Sequence, residues 1–81
     1  MGLTACAVQP PIQEMAEARA SVQMAQKLNI SDAPNPFLQS AEQALQEASQ
    51  AIQEKRYERA RAQAIKAKRE AQRAVKASEK E

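Results

Sequence analysis

An all-α fold is predicted, a small antiparallel arrangement of three helices. Three observations predict it. Alanine is the commonest residue, eighteen of 81, and it has the highest helix propensity. The single glycine is Gly2, and the four prolines sit at 10, 11, 34 and 36, so two long stretches run unbroken. Apolar residues then recur at three- and four-residue spacing in three separate stripes, the period of a helix with one buried face.

Helix 1 is expected over about 11–28. Pro10-Pro11 suits a first turn, where no amide donor is needed, and Glu14 and Glu17 follow where the helix dipole favours acid. Its stripe is Met15, Ala18, Val22 and Ala25, with Met24 and Leu28 widening it. "NISDAPNPF" (29–37) is turn chemistry, and Asn35-Pro36 reads as an N-cap followed by proline at the first helical position. Helix 2, about 37–54, carries Leu38, Ala41, Leu45, Ala48 and Ile52.

The third stripe is Tyr57, Ala60, Ala64, Ala67, Ala71 and Ala74, which predicts helix 3 over about 57–77. Its phase decides whether the chain turns. From Ile52 to Tyr57 is five residues, a rotation of about 140° on a continuous helix at roughly 100° per residue. The two apolar faces would then point to nearly opposite sides, and continuing the first stripe would put Lys55, Arg59, Ala62, Lys66 and Arg69 on the core face. A turn at 54–56 buries both stripes, although "QEKRY" holds neither Gly nor Pro. The alternative is a two-helix hairpin with one long helix over 36–78.

Thirteen large apolar side chains are available for a core: Ile12, Met15, Val22, Met24, Leu28, Ile30, Phe37, Leu38, Leu45, Ile52, Tyr57, Ile65 and Val75. Alanine adds little transfer energy but lets helices approach closely. The domain is expected over 10–78, with a tail at 1–9, a frayed end at 79–81 and marginal stability.

The chain has no His and one Cys. It therefore has no internal disulfide, no metal-ligand set of the usual kind and no base to activate Cys6 as a nucleophile. No catalytic residue, metal or cofactor is expected, and no run of ~20 apolar residues predicts a membrane span. The net charge of +2 is unevenly spread. Lys55, Arg56, Arg59, Arg61, Lys66, Lys68, Arg69, Arg73 and Lys76 stand against Glu58 and Glu70, so this segment carries +7 and the remainder −5. The nine are a candidate contact surface. Three readings compete: a solvated face; a contact with anionic headgroups, cell-wall polymer or an acidic protein; and phosphate neutralisation on nucleic acid. Nucleic acid is not an expected partner, since no aromatic is interleaved for base stacking.

Leu3-Thr4-Ala5-Cys6 resembles a bacterial lipobox, in which an aliphatic and two small residues precede a lipid-accepting Cys. The segments "EMAEARASVQMAQ" (14–26), "DAPNPFLQSAEQALQEASQAI" (32–52) and "RYERARAQAIKAKREAQRA" (56–74) resemble the DUF4398 family, small bacterial envelope proteins of unassigned function. That resemblance implies lipidation at Cys6, with 1–5 the remnant of a signal segment. It also implies a native precursor extending upstream of Met1-Gly2, and a domain held at the membrane by a short tether. Ala7, a non-acidic residue after the Cys, implies the outer membrane. Myristoylation of Gly2 wants Ser or Thr at position 6 and does not fit. Tyr57 with Ala60 also resembles the turn of a tetratricopeptide-type hairpin, with Lys55 and Arg56 where a Gly is usual. Tyr57 and Ala60 are thus expected to pack at the helix 2–helix 3 turn. The implied role is a non-enzymatic scaffold or adaptor for an envelope protein or cell-wall partner. The alternatives are a cytosolic basic nucleic-acid binder and a self-assembling coiled-coil subunit; the oligomeric state is open.

Overall fold

The computed structural model describes residues 9–29 and 34–79. They form three helices, α1 (Ile12–Leu28), α2 (Pro36–Gln53) and α3 (Tyr57–Glu79). The three-helix expectation holds, and α3 runs two residues past its predicted end. The chain goes up, down and up. Gln26 near the end of α1 donates to Glu42 early in α2, 2.9 Å, and Asn35 at the start of α2 reaches Ala74 late in α3. α3 packs along both other helices, while α1 and α2 touch each other far less.

Asn35 caps α2 as its sequence suggests. Its Oδ1 accepts from the amides of Phe37 (3.1 Å) and Leu38 (3.2 Å), and Pro36 fills the first helical position, where no amide is needed. Its Nδ2 also donates to the Ala74 carbonyl of α3 at 3.2 Å. It is the buried polar residue of the described chain, and both ends of its amide are used. One side chain therefore starts α2 and fixes where α3 lies against it.

The chain turns at 54–56 as the phase of the stripes requires. Lys55 takes φ 62°, the left-handed conformation. The Lys55 amide donates to the Ile52 carbonyl (2.9 Å) and the Arg56 amide to the Ala51 carbonyl (2.8 Å). These are the two bonds of a Schellman termination. The long-helix alternative is thereby excluded, and Lys55 occupies the position that usually falls to glycine.

The core is built of alanine. Ala18 and Ala25 of α1, Ala41, Ala44, Ala48 and Ala51 of α2, and Ala60, Ala64, Ala67, Ala71 and Ala74 of α3 are all buried. Of the thirteen large apolar residues only Met15, Val22 and Leu38 join them; Leu45, Ile52, Tyr57 and Val75 are half-buried. Ile12, Met24, Leu28, Phe37 and Ile65 are exposed, Ile12 by 74% and Met24 by 59%. Ile30 lies outside the described residues. The expectation that Met24 and Leu28 widen the core stripe of α1 is therefore corrected. In α2 the centre of the buried face is also rotated, from Leu45 and Ile52 to Ala44 and Ala51. The cause is common to both. Helices spaced by facing methyl groups leave no room between them for a Leu- or Met-sized chain, so the large residues move to the flanks.

Replacing Lys55 by Gly relieves the cost of a non-glycine left-handed residue, roughly 1–2 kcal/mol, less the entropy that glycine adds to the unfolded chain. Lys55→Gly should raise the unfolding free energy by about 0.5–1 kcal/mol in urea titration. A loss of stability would mean that the turn is built differently.

Candidate interaction surface

Each helix presents a different outer face. On α2 the outward positions are Gln39, Gln43, Gln46, Gln50 and Gln53, all exposed and all glutamine. On α1 they are neutral or mixed, with Gln13, Ala16, Ala20, Gln23 and Lys27. On α3 the positions opposite the alanine seam are Arg59, Ala62, Lys66, Arg69, Arg73 and Lys76, spaced 3-4-3-4-3 and all exposed. Lys55 in the turn continues the series at the same spacing. These are the residues that an unbroken helix would have pushed into the core; the left-handed Lys55 turn brings the alanines inward and the cations outward.

The nine basic residues divide by what they touch. Arg61 Nε lies 3.4 Å from Glu14, and Lys68 Nζ donates to Glu17 Oε1 at 2.9 Å, so these two dock α1 onto α3. Arg56 pairs with Glu54 at 3.6 Å across the turn, and Arg73 with Glu70 at 3.1 Å within α3. Among the described residues, Lys55, Arg59, Lys66, Arg69 and Lys76 make no ion pair. The lysine ammonium beside Glu17, helped by the Gln13 amide, holds the Glu17 carboxyl below the usual glutamate range. Glu14 and Glu17 were expected to serve the α1 dipole; their cross-helix role was hidden because the partners lie some fifty residues away in sequence.

Tyr57 is half-buried at the first residue of α3, and Ala60, one turn on, is fully buried, where the helix 2–helix 3 turn meets the core. A shallow groove of about 520 Å³ runs between α1 and α3, its lining including Met24, Ala71, Gln72, Val75, Lys76 and Glu79. Cys6 lies outside the described residues. Among the described residues there is no group of acidic, Cys or His side chains that could hold a metal ion, and no helix is long and apolar enough to cross a membrane.

A three-helix all-α domain of this kind, with an alanine core and one cationic face, is what the geometry defines. Residues 13–81 match DUF4398, a domain of unknown function, and the chain belongs to that family. No curated protein and no solved structure matches it.

The Glu17–Lys68 pair carries a pH signature with a defined sign. A carboxyl whose folded pKa is depressed contributes stability above its unfolded pKa and loses it as pH falls through the folded one. Wild type should therefore exceed Glu17→Gln in stability at neutral pH, modestly because the pair is half-exposed. The difference should close below the usual glutamate range in urea titrations across pH. A difference that persists at the acid end would show that the charge is not its source.

Proposed function

We propose that this protein is a bacterial envelope lipoprotein, anchored through Cys6, whose helical domain serves as a non-enzymatic scaffold or adaptor. The observation that carries the reading is Leu3-Thr4-Ala5-Cys6, a lipid-acceptor-like tetrapeptide five residues ahead of α1. A thiol in that place has no base to make it a nucleophile, since the chain holds no His, and no second Cys to pair with. Acyl chains contribute about 0.8 kcal/mol per buried methylene, so two or more hold a protein at a bilayer without help from the domain. Ala7 after the Cys favours the outer membrane, facing the periplasm. An α2–α3 hairpin with Tyr57 and Ala60 at its turn is in keeping with a tetratricopeptide-like binding unit.

The role as adaptor is supported by surfaces rather than by a cleft. Among the described residues, the glutamine line of α2 and the mainly cationic face of α3 are exposed, and either can present to an envelope protein or to the cell wall. The self-assembling alternative drew on two alanine stripes out of phase with each other. Both are buried within one chain, so the stripes no longer call for a second copy.

Metabolic labelling with a radiolabelled fatty acid in the native host tests the anchor. Label should appear on the wild-type protein and vanish in Cys6→Ser. Equal absence of label from both would overturn the lipoprotein reading.

A further inference from the structure

We infer that the outer face of α3 is a docking surface for an anionic phospholipid bilayer, with α3 lying along the membrane plane. Charge segregation is the first ground. The exposed line Arg59, Lys66, Arg69, Arg73 and Lys76 carries five cations, with exposed Glu58 at its start and Glu70 paired to Arg73, whereas the equivalent line on α2 is wholly uncharged glutamine. A need for solubility alone would be met on either helix by either residue type. Arg59, Lys66, Arg69, Arg73 and Lys76 lie on the side of α3 opposite its alanine seam, while Arg61 and Lys68 turn to α1.

The second ground is the shape and the company of that line. From Arg59 to Lys76 a straight helix rises about 26 Å, and Arg59, Lys66, Arg69, Arg73 and Lys76 share one side of it, which suits a plane better than a curved or pocketed partner. Apolar side chains flank it. Ile65, 44% exposed, stands one turn from both Arg61 and Arg69, and exposed Met24 with half-buried Val75 lines the groove that Lys76 and Glu79 also line, with exposed Leu28 one turn beyond Met24 on α1. Cations flanked by exposed apolar residues are the composition of a helix that lies in a bilayer interface. No aromatic stands on the face to stack on bases, nor to anchor in a partner protein, where Trp and Tyr carry most of the affinity. The inference rests on the envelope reading for which bilayer is met, but its chemistry does not need the acyl anchor.

The test uses the full chain with Cys6→Ser, so that no acyl group can act for the domain. Its co-sedimentation with phosphatidylcholine–phosphatidylglycerol vesicles is compared with phosphatidylcholine vesicles alone. Two charge-matched variants are added, Lys66→Gln/Arg69→Gln on α3 and Arg19→Gln/Lys27→Gln on α1. All four residues are exposed and outside the ion pairs, and retained helical circular dichroism checks that each variant folds. Binding should require the anionic lipid and fall away at about 1 M salt, where screening reaches within about 3 Å. With each surface cation contributing roughly fivefold, the α3 pair should weaken partitioning by more than about tenfold and the α1 pair by far less. The inference is overturned by no binding, by equal binding to neutral vesicles, by equal losses in the two variants, or by tighter binding to a DNA duplex than to the anionic vesicles. Any of these leaves the fatty-acid labelling result, and so the anchor, standing or falling by itself.

Discussion

Five alanines on one line of α3 set the distance at which the three helices meet. Ala60, Ala64, Ala67, Ala71 and Ala74 have almost no exposed surface, and alanines of α1 and α2 make up most of what else is buried. Such contacts gain little per residue by transfer from water. They compensate by costing no side-chain entropy and by bringing backbones close enough for many weak dispersion contacts. The same closeness expels larger chains. Met24, Leu28 and Ile65 are exposed because a seam of methyl groups has no slot for them, and the fold consequently carries apolar residues on its surface that an ordinary core would hide.

The surface follows from the seam. Once the alanine line faces inward, the positions half a turn away face outward, and on α3 those positions are mostly Lys and Arg, with Ala62 and Glu58 among them. The turn at Glu54–Arg56 makes this assignment possible by resetting the helical phase between α2 and α3. Its left-handed Lys55 closes the two Schellman bonds at 2.9 and 2.8 Å. Asn35 then fixes the antiparallel alignment by joining the α2 cap to Ala74, and Glu14 and Glu17 hold α1 against α3 through Arg61 and Lys68. Among the described residues this leaves Arg59, Lys66, Arg69 and Lys76 without an ion pair on the outer face of α3, the feature on which a membrane contact would depend.

Much of this was legible in the sequence because it is local. Helix positions follow from spacing, the α2 cap from Asn35-Pro36, and the turn from a five-residue phase step that no glycine announces. The line of cations could be read from the same spacing. Side-chain size misled where local pattern and packing diverge: Leu45 and Ile52 complete a better apolar stripe than Ala44 and Ala51, yet the alanines lie at the contact. The Asn35–Ala74 bond and the two α1–α3 ion pairs join residues 39 to 51 positions apart, and no spacing rule reaches across such a gap. Cys6 stands apart from all of this, a reading of four residues outside the described structure.

The seam is tested most directly by one chemical change made on both sides of one helix, followed by urea denaturation. Ala67 is fully buried and Ala62 lies among the outward cations. Ala67→Leu should cost on the order of 3 kcal/mol or abolish folding, at or beyond the upper end of ordinary overpacking because two backbones must separate. Ala62→Leu should change stability by no more than about 0.5 kcal/mol. Equal effects from the two substitutions, or a stable Ala67→Leu protein, would contradict an alanine-spaced core and with it the outward placement of the basic ridge.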